Sequence, residues 1–129
     1  MERGNMVRAL IVEDNRRYLE AFKAKLHEHA PALIIEEAGS GEEALERIRE
    51  APPQLIFMDI RLPGMNGLQV TQKVKKDFPQ IRIAVLTSYD LPEYQQAAMQ
   101  YGADRFFVKD LLNWDEVEAL VKSIDEGAP

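Results

Sequence analysis

Five short apolar runs recur along the chain, and each gives way to a stretch with helical spacing. The runs cover residues 7–12, 33–35, 55–58, 81–86 and 105–108. Short apolar runs bounded by turn signals read as strands buried on both faces. Between the first two, Leu19, Phe22 and Leu26 fall on one helical face over residues 16–30, until Pro31 stops the pattern. Ser40 with Glu43 is a capping box opening a second helix on Ala44, Leu45 and Ile48, which Pro52-Pro53 ends. Asn66 caps a third with Val70, Val74 and Phe78, broken by Pro79. Asp90, Pro92 and Glu93 start a fourth, which runs to about Tyr101 and stops at Gly102. Asn113 with Glu116 caps the last, carrying Trp114, Val117, Leu120, Val121 and Ile124.

Strict alternation of this kind predicts an α/β fold: a doubly wound, five-stranded parallel sheet with helices on both faces. Right-handed crossovers leave few topologies, and the expected strand order is 2-1-3-4-5. A chain of 129 residues suits one core. Residues 7–126 read as that domain, and 1–6 and 127–129 as terminal tails.

Composition removes several function classes. There is no cysteine, so disulfides, thiolate nucleophiles and Cys-based zinc sites are excluded. Net charge is −6, whereas a domain that neutralises phosphates carries a basic excess, so this chain is not expected to bind nucleic acid directly. The opening Met1-Glu2-Arg3-Gly4-Asn5 is polar, and the run Ala9-Leu10-Ile11-Val12 is far too short for a signal-peptide core or a membrane span. No membrane association is expected, and a cytoplasmic location is.

The chemistry gathers where strands end. Leu55-Ile56-Phe57-Met58 closes on a single carboxylate, Asp59, followed by Ile60-Arg61-Leu62-Pro63-Gly64-Met65-Asn66-Gly67. The first strand closes on Glu13-Asp14. In the expected order these strands are neighbours, about 4.8 Å apart, at the edge where open α/β sheets bind ligands. Three carboxylates so close repel strongly unless a hard cation sits between them, and Mg2+ fits such an oxygen site best. Thr87 ends the fourth strand with a hydroxyl, and Lys109 ends the fifth with a mobile charge. Singly, each has a duller explanation as turn former, helix cap or solvated side chain. Together they describe a site that carries a phosphoryl group on Asp59, relying on positioning and electrostatics.

From Val7 to about Ile124 the sequence resembles the receiver domain of bacterial two-component response regulators. The residues that carry the resemblance are Val12-Glu13-Asp14, residues 58–67, Leu86-Thr87-Ser88, and Gly102-Ala103-Asp104 through Lys109. The resemblance implies a flavodoxin-like (βα)5 fold and a signalling switch, not an enzyme. Its only catalysis would be its own phosphorylation and dephosphorylation. A sensor histidine kinase would donate a phosphoryl group to Asp59. Asp14 and Asp59 would hold Mg2+ directly, Glu13 largely through water, and Arg61 through its backbone carbonyl. Thr87, Ser88 and Lys109 would bind the phosphate, and Phe106 would follow Thr87 inward. The face formed by the fourth helix, fifth strand and fifth helix would then change for an output domain, a partner or a second copy.

Several features depart from the common pattern. Phe106 stands where many receivers have tyrosine, so no switch hydroxyl is available. Lys109 is followed by Asp110 where many have proline, a form that resembles receivers carrying a helix-turn-helix DNA-binding output domain and a role in transcription. No such domain follows, so the chain reads as a stand-alone receiver or a piece of a longer regulator. Arg61 and Tyr89 hold variable positions where they could shield the phosphate from water. His27 and His29 are expected in solvent, and Trp114 as a packing anchor. Two other readings compete. A phosphorylation-independent pseudo-receiver would usually lack one of the acid pair, Asp, Thr or Lys, all present here. An aspartyl-phosphate phosphohydrolase needs a general acid two residues past the nucleophile, where Arg61 cannot donate a proton at neutral pH.

Overall fold

All four residues of the central run are buried, and in a computed structural model describing residues 7–127 they form the middle strand of a five-stranded sheet. The strands are β1 (Arg8–Val12), β2 (Ile34–Ala38), β3 (Leu55–Met58), β4 (Arg82–Thr87) and β5 (Arg105–Val108). The helices are α1 (Arg16–His29), α2 (Gly41–Glu50), α3 (Gly67–Asp77), α4 (Pro92–Gln100) and α5 (Trp114–Asp125). Every pairing is parallel, in the order β2-β1-β3-β4-β5. The α/β fold and the order match the expectation from alternation.

Period two divides the core. Leu10, Val12, Ile56, Met58, Ile83 and Val85 pack on one side, against Ala44 and Ile48 of α2, Val70 and Val74 of α3, and Ala98 of α4. Ala9, Ile11, Leu55, Phe57, Ala84 and Leu86 face the other way, onto Leu19, Phe22 and Leu26 of α1 and Val117 and Leu120 of α5. Successive side chains on a strand alternate faces, so an unbroken apolar run needs both layers. Truncating a fully buried side chain such as Ile56 to alanine would cost about 2–5 kcal/mol.

Local differences have local causes. β2 runs three residues beyond Leu33-Ile34-Ile35, through Glu36-Glu37-Ala38. As an edge strand it tolerates half-exposed carboxylates, and Glu36 pairs with Arg8 and Glu37 with Arg16. Ser40 caps α2 as expected, but Glu43 reaches back to the Gly39 amide instead of Ser40's own. The full reciprocal box occurs at α3, between Asn66 and Gln69. Asp90 does not cap α4. Leu91 holds the cap position without a side-chain bond, and Pro92 begins the helix. Asn113 accepts from the Asp115 amide, so Glu116 does not complete a side-chain box at α5. Gly127 closes a turn after α5 with φ at 73°. Of the expected tails, 1–6 and 127–129, all but residue 127 lie outside the described residues.

His29 is also not where the sequence places it. Its ring stacks on Trp114 at 5.0 Å and its Nδ1 meets Glu118. His27 is exposed as expected. Trp114 is the packing anchor anticipated, 5.3 Å from the Phe22 ring.

Candidate functional site

Register brings the acids together. Val12 pairs with Met58, so β1 and β3 release Glu13 and Asp59 side by side, and the Asp59 amide donates to the Val12 carbonyl at 3.1 Å. Thr87 pairs with Val108, which leaves Lys109 immediately beyond. Glu13 and Asp59 are buried while Asp14 is exposed. Carboxylate oxygens of the three lie within 4.8 Å of one another.

The Lys109 ammonium reaches Glu13 Oε1 at 2.7 Å and Asp59 Oδ2 at 3.4 Å. Glu13 Oε2 also accepts the Asn15 amide at 3.0 Å, which ties the acid to the start of α1. Burial first, and then the charge of Glu13, raise the Asp59 carboxyl while Lys109 opposes both, and the net result is a carboxyl pushed up to about 6. Like charges about 4 Å apart cost on the order of 4 kcal/mol at a partly screened site. One ammonium against three carboxylates leaves two negative charges uncompensated. An all-oxygen cluster with one exposed member, open to water on that side, fits a divalent cation of the magnesium type.

Loops on both sides hold the edge in shape. The Gly67 amide donates to the Ile60 carbonyl at 2.9 Å, closing the β3–α3 loop. Gly64 takes φ of 71°, a turn that suits glycine, and the Glu42 carboxylate accepts the next amide, that of Met65, at 3.2 Å. Thr87 is fully buried and its hydroxyl oxygen accepts the Tyr89 amide at 3.2 Å. Ser88 is exposed at the same bend. The Arg61 guanidinium lies 4.5 Å from the centre of the Tyr89 ring, which brings the β3–α3 and β4–α4 loops into contact. Phe106 is half-buried against the α2–α3–α4 side of the core, where Tyr94 also packs.

Tyr18 was not among the residues singled out from the sequence. Its ring lies on the first turn of α1, with the Lys109 ammonium 4.1 Å from its centre. Burial, then the charges of Glu13, Asp59 and Asp110, push its phenol far above the ordinary value, so it stays protonated. Its place four residues after Asp14, on the first turn after the Asn15 cap, was the available signal. The cavity of about 590 Å³ that His29, Leu33, Glu118 and Lys122 help to line lies elsewhere, between the end of α1 and α5.

The family model for response regulator receiver domains matches residues 9–124. The chain is 31% identical over 117 residues, 91% of its length, to the response regulator protein VraR of Staphylococcus saprophyticus, and covers 56% of that protein. It thus spans about half the length of the curated relatives it matches. A solved structure of the response regulator protein TrrA from Thermotoga maritima, in complex with Mg(2+)-BeF, is 33% identical with a TM-score of 0.80, over 92% of this chain and 99% of that one. A two-component response regulator of the LuxR family from Aurantimonas is 25% identical with a TM-score of 0.82, over 96% and 88%.

Proposed function

Because the chain belongs to the response regulator receiver domain family, we propose that it is a switch thrown by phosphorylation of Asp59. The observation that carries this reading is the convergence of Asp59, Thr87 and Lys109 with Glu13 and Asp14 at one sheet edge. The donor is the phosphohistidine of a sensor kinase. An Asp59 carboxylate oxygen attacks phosphorus, the phosphorus–nitrogen bond breaks, and its electron pair stays on the imidazole. Lys109 offsets charge on the phosphoryl oxygens, and Thr87, with Ser88 beside it, donates a hydrogen bond to one of them. Glu13, Asp14, Asp59 and the Arg61 carbonyl would hold Mg2+, which when bound adds positive charge against the same oxygens.

The readout is a shift of the α4–β5–α5 face, with Phe106 moving as Thr87 turns toward the phosphate. Among the described residues, the exposed large apolar side chains are Tyr89, Leu91, Met99 and Leu111, all between the end of β4 and the turn before α5. That concentration supports a face built to meet an output domain, a partner or a second copy. The Lys109-Asp110 form and the LuxR-family likeness favour a DNA-binding output and transcriptional control, with this acidic chain not touching DNA itself. No helix among the described residues is long and apolar enough to cross a membrane, and the setting we propose is the cytoplasm. Residues 7–126 are the functional unit in this reading.

The test is treatment with Mg2+ and acetyl phosphate, with intact mass read beside Asp59→Ala. The reading requires one added phosphoryl group, stable to acid, labile to hydroxylamine and absent from the variant. A folded sample that takes no adduct and binds no magnesium would return the pseudo-receiver reading, and steady turnover of a phosphate ester the phosphohydrolase.

A further inference from the structure

We propose that Tyr18 is a positioning residue for this phosphoryl transfer, its ring face holding the Lys109 ammonium in line with Asp59. The inference deepens the receiver reading and rests on it. A lysine ammonium is a compact charge on a flexible four-carbon stem, and two carboxylates alone do not fix where it sits. Here its Nζ has three neighbours. Glu13 lies at 2.7 Å, Asp59 at 3.4 Å, and the centre of the Tyr18 ring at 4.1 Å. The Lys109 side chain is only 9% exposed, so the ring covers a side on which water would otherwise compete.

The ring is itself fixed from behind. Phe22 stacks on it at 5.9 Å and 19° between planes. Phe22 in turn meets Phe57 of β3 edge-on at 5.1 Å and Trp114 of α5 at 5.3 Å. Tyr18 therefore stands on an aromatic base anchored in β3, the strand that leads directly into Asp59. An ammonium over a tyrosine face is attracted by the ring quadrupole, and at a half-buried site this corresponds to about five- to tenfold in a rate that needs the cation in place.

Tyr18→Phe keeps the face and loses the hydroxyl, whereas Tyr18→Leu keeps apolar bulk and loses the face. With Mg2+ and acetyl phosphate, Tyr18→Phe takes up the hydroxylamine-labile group within about twofold of the wild-type rate, and Tyr18→Leu about five- to tenfold more slowly. Pentafluorophenylalanine at position 18, which keeps the ring shape and reverses its quadrupole, falls with Tyr18→Leu. Equal slowing of the Phe and Leu variants, or full speed with the fluorinated ring, would overturn the proposal in favour of the hydroxyl or of packing. In metal-free protein the melting temperatures of Tyr18→Leu, Lys109→Met and the double variant are non-additive, Tyr18→Leu costing less once the ammonium is gone. Strict additivity there also overturns the proposal, and this arm needs no adduct. A wild-type protein that takes no adduct sinks the receiver reading as well. A wild-type adduct with rates indifferent to position 18 sinks only the role of Tyr18.

Discussion

A Cβ built on Gly67 would lie 1.9 Å from the carbonyl oxygen of Asp59. The start of α3 therefore packs directly on the backbone of the proposed phosphoacceptor, and only a residue without a side chain permits it. Gly67→Ala must push the helix and the Asp59 peptide apart. The expected cost is about 2–4 kcal/mol, by the overpacking of a backbone contact. Urea denaturation measures it, and an unchanged midpoint would show that the loop yields freely.

The raised carboxyl of Asp59 makes metal-free stability depend on pH. Its native value of about 6 exceeds the ordinary 3.8, so the folded state holds this proton more tightly than the unfolded chain does. Below about pH 4 both states are protonated and no penalty exists. As pH rises from about 4 through about 6 the unfolded state ionises first, and the native state loses up to about 3 kcal/mol. Asp59→Asn removes this slope and melts higher than wild type at pH 7 in EDTA. Parallel pH profiles for the two proteins would contradict the assignment.

Magnesium should relieve the same repulsion. At a concentration about a hundredfold above Kd, a cation that binds only the folded state adds about 2.7 kcal/mol. Wild type should therefore melt higher with Mg2+. Asp14→Ala and Asp59→Ala, each lacking one carboxylate of the cluster, should respond weakly or not at all. A Mg2+ shift of equal size in all three would place the ion elsewhere.

The Arg61–Tyr89 contact joins the loop that follows Asp59 to the loop that follows Thr87. If it limits water at the acyl phosphate, Arg61→Ala and Tyr89→Ala shorten the adduct's half-life by roughly two- to tenfold, the range of a partly exposed cation–π contact. Formation of the adduct should change less. The decay of phosphoprotein after removal of donor, followed by intact mass, reads this directly. Lifetimes equal to wild type would mean that water reaches the site by another path.

That Asp59, Glu13, Asp14, Thr87 and Lys109 share one edge was legible because each ends or closely follows a strand, and in a parallel sheet all strand ends of one sense lie on one edge. The fold was legible for a related reason: runs such as Leu55–Met58, apolar at every position, can be satisfied only by a layer on each face. Helix starts were less so. Leu91 caps α4 without a side-chain bond, and Glu43 turns to Gly39, because capping depends on where the preceding loop brings its amides.

What only the tertiary structure decided are the contacts between elements far apart in the chain. The His29 ring of α1 is half-buried, not fully solvated, because Trp114 of α5 arrives beside it. Tyr18 became part of the site only when β5 delivered Lys109 onto its ring. Local sequence determines the period of burial and the residue that ends each strand, since both follow from backbone geometry over a few residues. Which side chain meets a mobile ammonium depends on how α1 packs across the sheet, and no short-range pattern encodes that.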